Sequence, residues 1–181
     1  MTTAAAGSVT QDVPDVSPIP FVPDDFEVPR SLRAEHFVLE PLGPQHNASD
    51  HEAWGSSIDH IRSTPGFDPD DWGGDTWPYP MSAEQNLADL QMHAGEFERR
   101  EAFAYTVLDG DGDSAEVIGC VYIDPDNAAN SLVRADAMVR CWVRSDRALL
   151  DPVLAASVRE WLAAHWPFTT VRFPGRDVAV G

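Results

Sequence analysis

The sequence predicts a single domain of mixed α/β (α+β) class, and two kinds of periodicity predict it. Stretches whose apolar residues recur at every second position, as in a half-buried strand, alternate with stretches at the 3.6-residue spacing of a helix. Between two of the strand-like stretches lies Asp109-Gly-Asp-Gly-Asp113, a strong hairpin signal, so part of the sheet is expected to be antiparallel. A chain of 181 residues has the length for one domain with a real core.

Met1 to Pro29 carries five prolines, Pro14, Pro18, Pro20, Pro23 and Pro29, whose spacing rules out a helix. The stretch reads as part of an extended arm over residues 1–34, docked through Ile19, Phe21, Val22 and Phe26, with the domain proper over 35–181. His36 to Leu42 is the first expected strand, alternating Phe37, Leu39 and Pro41 against Val38 and Leu42, and Gly43-Pro44 ends it. Asp50 is expected to cap a helix that runs to about Ile61 with Trp54, Ile58 and Ile61 on one face.

Thr64 to Pro80 is a long irregular stretch that combines Asp68, Asp70, Asp71 and Asp75 with Phe67, Trp72, Trp77 and Tyr79. Long loops dense in aromatic residues are binding loops or plugs over a core. As a binding loop, with Trp72, Trp77 and Tyr79 as contact residues, it suits a cationic acceptor through charge and ring-face attraction. As a plug, its tryptophans cover the sheet while its acids face water.

Ser82 with Gln85 is a capping-box pattern opening a helix to about Arg100, whose core stripe is Leu87, Leu90, Ala94 and Phe97. His93 lies at the margin of that stripe, where it is either structural or a candidate acid/base group. Ala102 to Leu108 and Glu116 to Asp124 are the hairpin strands. The aspartates between them do not make a calcium loop, because the sixth position is Ser114, the twelfth is Cys120, and no helices flank it. A strand follows at Ala135 to Val143, with Ala137, Val139, Cys141 and Val143 on one face and Asp136, Met138, Arg140 and Trp142 on the other. Asp151-Pro152 then reads as a cap and first-turn proline of a helix to Trp166 bearing Leu154, Val158, Trp161 and Leu162. Thr169 to Phe173 is the last expected strand; its open edge calls for a cover, by the arm, a second copy of the chain or both, and a homodimer is expected.

The formal charge of −18 arises from 30 acids and 12 bases, every base being arginine. Such a surface repels nucleic acid and anionic lipid, so neither is expected as a partner. Without lysine, a lysine Schiff base is excluded. No apolar run is long enough for a membrane helix, and Met1 to Asp12 has neither the basic group nor the apolar block of a secretory signal; a cytoplasmic protein is expected. Cys120 and Cys141, in neighbouring strands, are expected to be buried free thiols. No metal-ligand cluster, nucleotide loop or serine-nucleophile signature is recognisable.

A strand that turns sharply into a helix N-terminus is a place where anions sit, because the first helical amides lack partners and face the positive end of the dipole. Arg140-Cys-Trp-Val-Arg-Ser-Asp-Arg147 with the helix from Val153 to Trp166 resembles the acyl-CoA-binding strand and helix of the GNAT superfamily of N-acetyltransferases. By element order the resemblance covers about Glu35 to Phe173, and it is to a short, C-terminally truncated and motif-degenerate member; the chain is also similar to a group of short acetyltransferase-like proteins sharing a Trp-Pro loop, here Trp77-Pro78.

The resemblance implies a mixed, mostly antiparallel sheet of about five strands with helices on both faces. It implies acetyl-CoA as acyl donor and a small amine as acceptor. The backbone around Cys141, Trp142 and Val143 would align the donor's arm, and Arg144 and Arg147 would hold its phosphates. Of the family's phosphate turn the chain keeps the basic residue, Arg147, and has Leu150 and Pro152 in place of the two small residues. Where many relatives carry a glutamate this chain has Met138, so Asp136 on the same face is the candidate base. Tyr122 is the candidate proton donor; only eight residues follow Phe173, leaving no room for the family's last helix, its final two strands and the tyrosine usually given that role. Two functions follow: an acyltransferase acting on a small amine, or a catalytically degenerate binding or regulatory module on the same fold.

Overall fold

The alternating stretches pair in the order in which they occur. The computed structural model describes residues 20–68, 77–110, 115–126 and 135–176. Strands β1 (Leu32–Arg33), β2 (Val38–Pro41), β3 (Phe103–Asp109), β4 (Glu116–Pro125), β5 (Ala137–Val143) and β6 (Val171–Arg172) form one sheet in that order. Every neighbouring pair is antiparallel except β5 and β6, which are parallel because helix α4 (Asp151–His165) carries the chain back between them. Six strands stand where about five were expected. The extra one, β1, is two residues long, too short to show a period, and belongs to the stretch read as the arm.

The two faces of the sheet bury different things. Phe103, Tyr105, Val107, Val121, Ile123, Ala137, Val139, Cys141 and Val143 form one core with Leu154, Val158, Trp161 and Leu162 of α4. Ala104, Cys120 and Trp142 face the other way, into a core with Ala53 and Trp54 of α1 (Asn47–Gly55), Ile61 of α2 (Ile58–Arg62) and Leu90 of α3 (Ala83–Arg99). Val121 pairs with Cys141 and Cys120 with Trp142, so the two cysteines lie on adjacent strands but on opposite faces. Both are buried and unbridged, as expected.

The extended stretch from Pro20 packs on the α4 side. Val22 is buried, the Phe21 ring stacks on Phe103 at 5.6 Å and Phe168 at 5.1 Å, and Phe26 meets Trp166. Its carbonyls are used as well: Arg100 donates to those of Pro23 and Phe26, and the Tyr105 hydroxyl to that of Pro29. Ile19 lies outside the described residues.

Two helix expectations need correction. Asp50 lies inside α1 instead of capping it, because a 3-10 turn at Pro44–His46 starts the helix earlier; the Gly55-Ser-Ser57 break then separates α1 from α2. Asp151 is the first residue of α4 and makes no cap hydrogen bond; its carboxylate is engaged by Arg176. The capping box at Ser82 forms as read: its hydroxyl accepts from the Gln85 amide, and the Gln85 side chain accepts from the Ser82 amide. No helix among the described residues is long and apolar enough to cross a membrane.

Candidate functional site

On the α1 and α3 face, a cavity of about 220 Å³ opens over the ends of β4 and β5. Asp50 and Trp54, four residues apart on α1, share one helix face, as do Asn86, Leu90 and His93 on α3. Tyr122 and Asp124 alternate outward on β4, and Arg140 stands opposite Tyr122 on β5. Trp77, Tyr79 and Met81 complete the wall from the segment before α3. Aromatic rings line much of it: Trp77 is 6.4 Å from Trp54, 6.2 Å from Tyr122 and 6.2 Å from Trp142, centroid to centroid.

Asn86 is the hub of the polar groups. Its amide donates to the carboxylate of Asp50 at 3.0 Å and to the Asn47 side chain at 3.0 Å, and its carbonyl accepts from the Trp54 indole at 2.9 Å. Asp50 is 4% exposed, and burial raises its pKa above the ordinary carboxylate value despite the Asn86 bond and the nearby His46, His93 and His51. Burial also pushes the Tyr122 phenol and the Cys120 thiol well up, so both keep their protons. His93 Nδ1 lies 3.1 Å from Glu96 Oε2, with its ring 5.7 Å from that of Tyr122. With Nδ1 donating to Glu96, Nε2 is the nitrogen able to take a proton. Arg140 is paired to Asp124 at 2.7 Å, its guanidinium 5.8 Å from the Tyr122 ring centre.

Of the residues singled out in the sequence, His93, Tyr122, Trp77 and Tyr79 come together here. Trp72 lies outside the described residues. Asp136 does not join them: its carboxylate accepts from the Thr170 and Thr169 amides, and those bonds hold its pKa below the ordinary value, the opposite of what a proton acceptor near neutral pH needs. Asp50, Trp54, Asn86, Asp124 and Arg140 were not read as site residues. The available signal was the shared face of Asp50 with Trp54 and of Asn86 with His93; what hid it was that one polar residue on an apolar face also reads as a cap or an edge.

At the junction from β5 to α4 the arginines and acids are engaged with one another. A 3-10 turn at Ser145–Leu150 leads into the helix. Arg144 forks onto Asp146 and reaches Glu116, while Arg147 pairs with Asp109 and Asp146. The Cys141 carbonyl accepts from Arg176 at 3.2 Å, and Arg176 also grips both oxygens of Asp151 at 2.7 Å. The Cys141 and Val143 side chains lie in the α4 core and Trp142 in the opposite one. A groove of about 700 Å³ runs past this turn, lined by Arg33, His36, Asp109, Asp146, Arg147 and Leu149 among others. Arg176→Ala leaves Asp151 and a carbonyl without their shared donor; at their burial the expected loss is about 2 kcal/mol. A thermal melt should show it as a drop of roughly 4–8 °C.

No family model matches the chain, and no curated protein matches it. Among solved structures, similar ones include a ribosomal-protein alanine acetyltransferase from Vibrio fischeri at 15% identity, covering 74% of this chain and 68% of that one with a TM-score of 0.43. An acetyltransferase from Agrobacterium tumefaciens is 17% identical over 77% of this chain and 69% of that one, with a TM-score of 0.44. A microcin self-immunity acetyltransferase in complex with acetyl-CoA and AMP is 10% identical over 77% and 71% respectively, with a TM-score of 0.48. The likeness to these acetyltransferases, at 10% to 17% identity, is one of fold.

Proposed function

We propose that the chain is an acyltransferase whose acceptor, a small amine, enters the cavity between α1, α3 and the sheet. One observation carries the reading: the cavity sets the His93–Glu96 pair beside the protonated Tyr122 phenol, within aromatic walls that also hold acids. An amine must lose a proton before or as it attacks a carbonyl, and in this reading His93 receives it at Nε2 while Glu96 holds Nδ1. Trp54, Trp77 and Tyr79 line the cavity, and aromatic rings attract a cation. Tyr122 holds a proton at its oxygen in the same wall.

Acetyl-CoA is the acyl donor that the sequence resemblance implies. The residues named for it do not fit a pyrophosphate as they stand: Arg144 and Arg147 are ion-paired, Pro152 has no amide proton, and Arg176 takes the Cys141 carbonyl. This favours a second reading, a binding module that keeps the cavity and lacks the transfer. Calorimetry separates the two. Under the first, acetyl-CoA titrated into the protein gives saturable heat below millimolar concentration, and Arg147→Ala weakens it several-fold; no heat at millimolar donor removes the transferase and leaves the module. Arg147→Ala should itself cost less than about 1 kcal/mol of stability, because its ion pairs are solvent-exposed.

A further inference from the structure

Asp50 brings a buried carboxyl group to the cavity, and no arginine among the described residues offsets it. It is 4% exposed, lines the cavity, and forms no ion pair with an arginine among the described residues, while the Asn86 amide donates to one of its oxygens at 3.0 Å. An unpaired carboxylate in an apolar wall is costly, and a ligand cation that meets it is correspondingly well held. The titratable groups lining the cavity are Asp50, Tyr79, Asp89, His93, Tyr122, Asp124 and Arg140, and His46 and His51 also act on Asp50; Asp124 and Arg140 neutralise one another, which leaves Asp50 and Asp89 as the acids that no described arginine offsets. Trp54 and Trp77 line the same cavity, 6.4 Å apart, and aromatic rings attract a desolvated cation.

A nitrogen held as an ammonium against Asp50 has no lone pair with which to attack a carbonyl. The nucleophile that His93 serves must therefore be a different nitrogen. We infer that the cavity takes a short diamine or other aminoalkyl cation, with one nitrogen kept charged at Asp50 and the other delivered neutral beside His93. Size agrees: at about 220 Å³ the cavity is smaller than the pockets that take drug-sized ligands, which suits a short aliphatic cation. The role of the second nitrogen rests on the acyl-transfer reading; the cation at Asp50 does not.

The test titrates 1,4-diaminobutane, 4-aminobutan-1-ol and butylamine into the full chain and into Asp50→Asn at pH 8. The wild-type chain should bind the diamine at least tenfold more tightly than either monoamine, and Asp50→Asn should erase that preference. Equal binding of the three by the wild type overturns the inference, and so does a preference that survives in Asp50→Asn; the wild-type comparison decides even where the variant does not fold. A separate assay with acetyl-CoA follows release of free thiol. Diamine binding without thiol release sinks the acyltransferase and leaves the cation site standing, whereas thiol release with no diamine preference does the reverse.

Discussion

Gly119→Ala is expected to be among the most damaging single changes in the chain. Gly119 lies opposite Val143 in the β4–β5 ladder, and a Cβ built there overlaps the carbonyl oxygen of Trp142 and comes within 3.2 Å of the Val143 Cα. The obstruction is backbone at the centre of the sheet, so no flexible side chain can swing aside. Relief requires prising β4 from β5, which both cores are built on. The expected cost is about 3 kcal/mol, at the upper end for overpacking by a single methyl group. In a chain of this length that lowers the melting temperature by roughly 6–12 °C. A melt within 2 °C of wild type would mean that the strands are not zipped together at this point.

Asn86→Ala should cost still more, and its cost should depend on pH. The change removes the donor to Asp50, the acceptor of the Trp54 indole and the bonds to Asn47 in one step. Two or three buried polar groups left without partners, at about 1–3 kcal/mol each, give a loss of about 4 kcal/mol, or roughly 8–16 °C. Burial raises the pKa of Asp50 in the folded state above the ordinary value of 3.8, and the Asn86 bond opposes that rise. The folded chain therefore takes up this proton at higher pH than the unfolded chain does. Stability linked to Asp50 grows as pH falls through the folded pKa and is lost as pH rises through it. Without Asn86 the folded pKa rises further, so the deficit of Asn86→Ala should shrink on moving from pH 8 to pH 5. Adding Asp50→Asn should flatten that dependence. Melts of the single and double variants at both pH values check it; a pH-independent deficit would mean that Asp50 does not change its protonation between them.

The fold was legible wherever one period dominated a stretch. The alternation in β5 placed Ala137, Val139, Cys141 and Val143 on the α4 side and Arg140 and Trp142 on the other, as found. The capping box fixed the start of α3 because both of its bonds are local. Two-residue β1 carried too little pattern to be read, and Asp151 was misread as a cap because sequence shows a capping residue but not the arginine, 25 positions away, that competes for it. His93, Tyr122, Trp77 and Tyr79, singled out from residue type and position, line one cavity. Asp50 and Asn86 were not singled out, since their importance comes from facing each other across 36 positions, a relation that only the packing of α1 on α3 creates. Asp136 illustrates the converse: it lies just before β5, and its partners, the Thr169 and Thr170 amides, come from the segment that follows α4 in the chain.

Each side of the sheet carries one thiol of its own. Cys120 lies beneath the cavity walls and Cys141 beneath α4, both sealed from water, and burial pushes the Cys141 thiol up to about 12. A thiol-modifying reagent added to the native protein therefore reacts only through transient opening, and the position modified names the layer that lifted. Peptide mapping of the two adducts would time the breathing of the two halves of the molecule separately, without a single introduced label.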